Sequence, residues 1–185
     1  MGYSAADTAA KHERILDEAS RLFRERGFSG VSVSEIMKAA GLTHGPFYNH
    51  FSSKETLMAE ALAHGVKTSL ADLDKVCGSA NGKTQYVEDY LCAAHRDSPG
   101  AGCTIAALSA EVRQERQVRR PFTVQLKALV QKLTHCLPWS SKRASRGEAI
   151  RMLSSLVGAM ILARAVDDRA FSDEILREVR KGFTS

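Results

Sequence analysis

The sequence has few residues that interrupt helices and no pattern typical of a disulfide scaffold. Only four prolines occur in 185 residues, and the long runs between them show helical periodicity. The four cysteines, Cys77, Cys92, Cys103 and Cys136, include no CxxC pair and form no dense cluster. We therefore predict a nearly all-α protein with reduced cysteines in a cytoplasmic setting.

Signals for membrane insertion, metal binding and common enzyme classes are missing as well. The first residues lack the apolar core of a signal peptide, and no apolar run is long enough to span a bilayer. No GxSxG, HExxH, P-loop or dinucleotide-binding motif is present. Cys92 and His95 have the spacing of half a metal site, but no third ligand lies nearby in sequence. These absences predict a protein that is not an enzyme, does not enter a membrane, and uses no cofactor or metal.

The excess of positive charge is small. A net charge of +5 and a pI near 9.1 fit a polyanionic partner. Residues 1–54 contribute only +1 of this charge, from seven Lys/Arg and six Asp/Glu. Charge alone therefore does not identify a nucleic-acid-binding protein.

The first third of the chain consists of short helical patterns with clear start and stop signals. Apolar spacing and capping residues predict helices over about 8–26, 33–40, 44–50 and 52–76. Ser32-Val-Ser-Glu35 is a capping box for the second helix, Thr43 is placed to cap the third, and Ser52-Ser-Lys-Glu55 is a capping box for the fourth. Two short helices joined by a turn at Gly41 form a helix-turn-helix pattern.

The segment HGPFYNH, residues 44–50, has low helix propensity but suits a helix that lies in the major groove of DNA. Gly45 has no side chain that would hold the backbone away from DNA. Pro46 fits the first turn of a helix, where its missing N–H is not needed. Phe47 and Phe51, four residues apart, are expected to anchor the helix inward.

Polar side chains in and after this segment match the two kinds of DNA contact. Tyr48 and His50 can reach phosphate oxygens, which position a protein without reading sequence. Asn49 and His44 carry donors and acceptors that suit base edges. Lys54, in the first turn of the next helix, adds a cation to free helix N–H groups and so favours a phosphate.

Residues 31–57, VSVSEIMKAAGLTHGPFYNHFSSKETL, are similar to the N-terminal signature of the tetracycline-repressor (TetR) family of bacterial regulators. The resemblance implies an all-α fold, with a three-helix helix-turn-helix DNA-binding domain over residues 1–52 and a helical-bundle regulatory and dimerisation domain over residues 53–185. It also implies DNA contacts by Thr43, His44, Gly45, Pro46, Tyr48, Asn49, His50 and Lys54. Pro46 departs from the family pattern, in which a small or hydroxylated residue is usual.

The rest of the chain continues as helices, expected over about 84–95, 103–114, 142–166 and 172–183, with another that has Pro121 near its start and ends at about Cys136. The helix over 142–166 is apolar nearly all round, so it must be covered on more than one side. It is either an ordinary core helix or, as the resemblance favours, part of a four-helix homodimer interface with the last helix. The predicted interface residues are Leu153, Leu156, Val157, Met160, Ile161, Ile175, Leu176 and Val179.

The resemblance implies a homodimer that occupies a near-palindromic operator in double-stranded DNA as a repressor. An unknown small-molecule effector, expected to be apolar or aromatic, would bind the regulatory bundle and release the DNA. The candidate residues for the effector site are Tyr86, Tyr90, Cys103, Phe122 and Met152, although their helical spacing also fits ordinary core. The sequence does not distinguish repression from activation.

Two other classes of function are compatible with parts of the sequence. Cys103 follows a glycine-rich loop and precedes a helix whose dipole can lower the pKa of a thiol, which suits a redox or electrophile sensor on the same DNA-binding scaffold. A free cysteine is more commonly a small buried apolar residue. A helical enzyme or a protein-interaction module would instead show no sequence-specific DNA binding.

Overall fold

The computed structural model describes residues 5–141, 143 and 145–184. These residues form α-helices and two short 3-10 helices without any strand, which confirms the predicted all-α class. The α-helices are α1 (Ala5–Arg26), α2 (Val33–Ala39), α3 (Lys54–Val76), α4 (Gly82–Tyr90), α5 (Ala93–Asp97), α6 (Thr104–Val112), α7 (Arg116–Cys136), α8 (Ser145–Ala165) and α9 (Arg169–Thr184). The 3-10 helices are Gly45–Asn49, called the recognition helix below, and Pro99–Ala101.

The N-terminal helices begin and end where the local signals place them. The Ser32 hydroxyl accepts from the Glu35 amide at 3.2 Å, and the Glu35 carboxylate accepts from the Ser32 amide at 2.9 Å, so the predicted capping box is confirmed. The Ser32 amide, then the Arg26 guanidinium, lower the pKa of Glu35 to about 2. Gly27 and Gly41 follow α1 and α2 with φ of 76° and 69°, a conformation that favours glycine.

Two predicted caps in the turn region are wrong. The recognition helix begins after His44 without a side-chain cap, so Thr43 does not fill that role. It is a 3-10 helix, in which the Phe47 amide donates to the His44 carbonyl at 3.1 Å. Ser53, not Ser52, caps α3, because its extended backbone places its hydroxyl 3.2 Å from the Thr56 amide.

Three predicted boundaries in the second half of the chain also change. The pattern over 84–95 is divided into α4 and α5, because Cys92 has an extended backbone and its sulfur accepts from the His95 amide to start a new helix. Pro121 lies inside α7, which already begins at Arg116. Lys142, where the next helix was predicted to begin, lies outside the described residues.

Buried apolar side chains form two clusters. The N-terminal cluster joins α1, α2, the recognition helix and the first half of α3, and it also takes in Leu108, Val112 and Val118 from α6 and α7. The bundle cluster joins the second half of α3 with α4 and α6–α9. Since α3 passes through both clusters and packs along α7, it is the structural link between the two regions. The domain boundary near residue 52 stays a prediction.

The structure corrects the expectation that all four cysteines are reduced. Cys77 and Cys136 form a disulfide, with a Cα–Cα distance of 4.4 Å. The two residues are 59 positions apart and come together because α3 and α7 pack together and end at the same place. Cys92 and Cys103 are free.

Within the described part of the chain, no helix is both long enough and apolar enough to cross a bilayer.

Candidate nucleic-acid interface

The recognition helix is held against the N-terminal cluster by two phenylalanines. Phe47 and Phe51 are 1% and 2% exposed, and their rings are stacked with centroids 5.7 Å apart. Their burial fixes the inward face of this short helix, as predicted from their spacing. The next residues around the helix must therefore point away from the core.

The outward face carries most of the predicted DNA-contacting residues. Tyr48 is 69% exposed, a high value for a tyrosine, and its ring stands edge-on to Phe47 at 5.1 Å between centroids. The residues Thr43, His44, Gly45 and Asn49 are also exposed, whereas Pro46 and His50 are half-buried. The structure thus brings the predicted residues of this segment onto one continuous surface.

Gly45 is not required by packing inside the chain. A Cβ atom added at this position would meet no heavy atom within 4 Å. The φ of Gly45 is also not positive, so the backbone there does not demand glycine. The open space is available to a partner, which agrees with the prediction that the backbone approaches DNA at this point.

His50 lies between the recognition helix and α1. Its ring centroid is 5.9 Å from that of His12. Burial, then the neighbouring His12 and Lys11, lowers the pKa of His50. The imidazole is therefore neutral near pH 7, and it can offer one N–H to a phosphate oxygen.

Lys54 has an internal role that the sequence did not indicate. Its ammonium donates to the carbonyls of Phe28 and Val31 at 2.7 and 2.6 Å, and so ties the start of α3 to the turn between α1 and α2. An ammonium has three donors, and these two bonds leave one N–H. The predicted phosphate contact stays a prediction.

A cavity of about 390 Å³ lies beside α3, α4 and the segment over 94–103. Three of the five predicted effector residues, Tyr86, Tyr90 and Cys103, line it. Met152 is fully buried in the bundle cluster, and Phe122 packs against both apolar clusters, so neither reaches the cavity. Helical spacing did not separate these two kinds of position, because both are apolar and face inward.

Hydrogen bonds inside the chain engage the His95 ring in the cavity wall. The His95 ring bonds the Tyr90 carbonyl through Nδ1 at 2.7 Å and accepts from the Cys103 amide through Nε2 at 2.9 Å. Burial lowers the pKa of His95, in agreement with a neutral ring that has both nitrogens engaged. The Tyr90 hydroxyl, by contrast, is a buried polar atom without a hydrogen-bond partner among the described residues.

One wall residue comes from α1 and was missed by the sequence analysis. Arg24 donates from Nε to the Gly100 carbonyl at 2.8 Å and from Nη1 to the Ser20 hydroxyl at 2.5 Å. Burial lowers the pKa of Arg24. No local signal marks this contact, because Arg24 and Gly100 are 76 residues apart. Arg24 connects a helix of the N-terminal cluster to the cavity.

The predicted dimer residues fall into two groups. Leu153, Leu156, Met160 and Leu176 are buried in the core of the protomer itself, so they are not available to a second copy. Val157, Ile175 and Val179 are half-buried, and Ile161 is exposed. The large exposed apolar side chains of α8 and α9 are Ile150, Ile161, Leu162 and Phe171. The surface open to a partner thus lies on the opposite side of α8 from most of the predicted residues.

The helix-turn-helix region of this chain is similar to known bacterial regulators. Residues 15–61 match the family model described as "Bacterial regulatory proteins, tetR family". A helix-turn-helix (HTH)-type transcriptional repressor, DhaR of Mycobacterium sp. (strain GP1), is 30% identical over 105 residues, 54% of this chain and 51% of that protein. An uncharacterised HTH-type transcriptional regulator of Mycobacterium tuberculosis (strain ATCC 25618 / H37Rv) is 26% identical over 183 residues, 91% of each chain.

A solved structure shows the same overall fold. The crystal structure of the reduced form of Escherichia coli NemR superposes with a TM-score of 0.77 and covers 94% of this chain and 95% of that chain. Because the sequence identity is only 22%, this similarity concerns the fold alone. The sequence match to DhaR, in turn, spans about half the length of that repressor.

Proposed function

Because the chain belongs to the TetR family of bacterial regulators, we propose that it is a repressor that binds a near-palindromic operator as a homodimer and is released by a small-molecule effector. The observation that carries the proposal is the recognition helix, whose buried phenylalanines hold Tyr48 and its polar neighbours outward. It acts in the cytoplasm, where it meets chromosomal DNA.

The recognition helix is suited to enter the major groove with its polar face towards the bases. Tyr48 and Lys54 contact phosphate oxygens and fix the position of the helix, while His44 and Asn49 address base edges. Gly45 allows the backbone to approach without a side-chain clash. Several phosphate contacts by each protomer make operator affinity fall steeply with salt concentration.

Dimerisation places two recognition helices for two half-sites. The exposed apolar residues Ile161, Leu162 and Phe171 supply the contact surface on α8 and α9, together with the half-buried Val157. In a two-fold dimer the half-sites are separated by about one helical turn of DNA, roughly 34 Å, or more. The buried members of the originally predicted set support this surface from inside the protomer.

The cavity beside α3 is the proposed effector site, and its wall indicates the chemical class of effector. Two half-buried groups that line it, Arg24 and His95, are already hydrogen-bonded within the chain. The Tyr90 hydroxyl is left as a buried group in need of a partner. We therefore expect an uncharged molecule with an apolar or aromatic body and one carbonyl or hydroxyl group that bonds Tyr90.

Arg24 provides a route by which the effector affects DNA binding. Its guanidinium lines the cavity while its bonds to the Gly100 carbonyl hold α1 against the segment over 99–104. An effector that displaces this contact changes how α1 and α3 sit on the bundle. Release follows if the effector binds better to the arrangement that spaces the two recognition helices wrongly for the operator.

Cysteine-based sensing is the alternative function, and the structure does not favour it. Cys103 is only 7% exposed and lies in the cavity wall. Replacement of Cys103 by Ser should preserve effector-induced release. If that variant binds both the operator and the effector but is no longer released by the effector, the cysteine-based alternative replaces the proposed one.

The first experiment selects duplex DNA from a random pool with the purified protein near physiological salt. We expect a near-palindrome to be enriched, and we expect Tyr48→Ala to lose about tenfold to hundredfold in affinity for it. His135→Ala, which removes an exposed ring at the C-terminal end of α7, is the control for removal of a surface side chain. The proposal is wrong if folded, dimeric protein enriches no sequence.

A further inference from the structure

We propose that a basic surface on α7 is a second contact with DNA phosphates, outside the helix-turn-helix. This basic stripe consists of Arg116, Arg119, Arg120 and Lys127, which are all exposed and share one face of α7. The inference rests on the proposed function, since it extends the DNA contact of the same regulator. Its partner is the backbone of the operator duplex.

The stripe holds much of the positive charge of the protein. Residues 113–132 contain six Lys/Arg and one Asp/Glu, a net charge of +5, which equals the net charge of the whole chain. Residues 1–54, with the recognition helix, have a net charge of only +1. Binding to a polyanion therefore gains more from this part of α7 than from the predicted DNA-contacting residues alone.

The cations of the stripe are not paired with other described side chains of the chain. Among the residues that the structure describes, none makes an ion pair or a side-chain hydrogen bond with Arg116, Arg119, Arg120 or Lys127. The first turn of α7 contains no acidic residue. Glu115 at the N-cap is the one acidic residue at this end of the helix. Arginines in the first turns add positive charge where the helix dipole favours negative charge, which makes this end of α7 a suitable place for an external anion.

The stripe begins at a corner of the chain that packs against the N-terminal cluster. Val112 and Val118, on either side of the corner between α6 and α7, are buried in the N-terminal cluster. Phe28 links this corner to Lys54, because its carbonyl accepts from Lys54 and its amide donates to Glu111 at 2.6 Å. The N-terminal end of α7, where Arg116 lies, is therefore on the same side of the molecule as the helix-turn-helix.

The dimensions of the stripe fit a duplex. Arg116 and Lys127 are eleven positions apart, or about 17 Å along the helix at 1.5 Å per residue. Over about 17 Å, duplex DNA carries roughly ten phosphate charges on its two strands. Guanidinium groups bind phosphates in a bidentate manner, which suits a stripe that contains three arginines.

The test compares two double variants with the same loss of charge. Arg119→Gln/Arg120→Gln removes two cations from the stripe, and Lys83→Gln/Arg143→Gln removes two from the far end of the bundle, near the disulfide. Affinity for the selected operator duplex is measured between about 50 and 200 mM salt, because the affinity of a protein that contacts several phosphates falls steeply over this range. Circular dichroism melting shows that each variant is folded.

We expect the stripe variant to bind at least about tenfold more weakly at the low end of this range. The slope of log K against log salt should fall by roughly 3.6, because the dimer loses four contacts at roughly 0.9 each. The control variant should change affinity less than about threefold. If the wild-type protein binds the operator and the two variants have equal affinities and slopes, the stripe is only a solvated surface and the inference is wrong. If the wild-type protein binds no duplex, the proposed function itself fails.

Discussion

The recognition helix and the cavity wall differ in the exposure and hydrogen bonding of their polar side chains. On the recognition helix, Tyr48 and its neighbours are exposed, while Phe47 and Phe51 are buried behind them. In the cavity, His95 and Arg24 are bonded to backbone carbonyls or amides of other segments, and the Tyr90 hydroxyl alone is identified as a buried atom without a partner. The recognition helix exposes several polar groups to solvent, whereas the cavity wall contains one fully buried polar atom without a partner among the described residues.

The difference follows from where the partner of each region comes from. A DNA duplex is large and hydrated, so side chains that contact it must be accessible and can be solvated until it arrives. A small molecule enters a buried site, where each unpaired polar group costs stability while the site is empty. We therefore expect substitutions of the outward residues of the recognition helix to change DNA binding without changing stability, and substitutions in the cavity wall to change both effector binding and stability.

The largest effect is expected for the anchor of the recognition helix. Phe47→Ala removes a fully buried ring from the N-terminal cluster and should destabilise this region by about 3–5 kcal/mol. Operator binding should be lost with it. Tyr48→Ala, one residue away, should lower operator affinity and leave the free energy of unfolding within about 0.5 kcal/mol. Urea unfolding of both variants measures the contrast, and similar losses of stability would contradict it.

Reduction of the disulfide should have the next largest effect. The Cys77–Cys136 bond closes a loop of about sixty residues, for which the chain-entropy model gives roughly 4 kcal/mol of stabilisation. We expect a reductant to lower the Tm of the wild-type protein. The variant Cys77→Ser/Cys136→Ala should not respond.

Titration of thiols in the unfolded protein supplies the control for that experiment. Two free thiols, those of Cys92 and Cys103, are expected before reduction and four afterwards. Four thiols before reduction would mean that the disulfide is not formed under the conditions used. The recognition helix has no covalent link of this kind, so a reductant should leave its packing unchanged.

Removal of the unpaired hydroxyl in the cavity should have a smaller effect, with the opposite sign. Tyr90→Phe deletes a buried polar atom without a partner and should raise the free energy of unfolding by about 1 kcal/mol. Tyr86→Phe, in the same wall, is the matched control and should give no such gain. Chemical denaturation compares the two. A loss of stability in Tyr90→Phe would show that the hydroxyl has a partner, such as a buried water molecule.

The smallest effect is expected from the protonation of His95. Burial lowers the pKa of this ring, so the folded protein binds its proton less readily than the unfolded chain does. The contribution of His95 to stability is therefore fully present above the unfolded pKa of about 6.5 and is lost as the pH falls below it. Unfolding measured between pH 7.5 and 5.5 should show this loss. It should be weaker in His95→Gln and preserved in His135→Gln, which removes an exposed imidazole.

Local signals were sufficient for the N-terminal region. The capping box at Ser32 and Glu35, the glycines that follow α1 and α2, and the spacing of Phe47 and Phe51 act over a few residues, and all appear in the structure as predicted. The wrong cap at Ser52 shows the limit of this approach. Ser52 and Ser53 are equally good capping residues in sequence, and the backbone conformation of the folded turn selects Ser53.

The packing of the bundle could not be predicted in the same way, because it depends on contacts between segments that no local sequence pattern specifies. The apolar sequence of α8 did not reveal which side packs inside the protomer, so Leu153 and Met160, which are buried in the protomer, were predicted at the dimer interface. The same holds for the cavity, where Tyr90 was predicted and Arg24 was missed. Periodicity identifies residues that face inward, but it does not show which other segment they meet.

The all-α class, the helix-turn-helix pattern and the resemblance to the TetR family could thus be predicted from the sequence, because capping, helical periodicity and a short motif act between near neighbours along the chain. Only the tertiary structure decided the bond between Cys77 and Cys136, the contact of Arg24 with Gly100, and the unpaired hydroxyl of Tyr90. These features join residues that are far apart in sequence or depend on what surrounds a side chain, and both are fixed only when the helices pack.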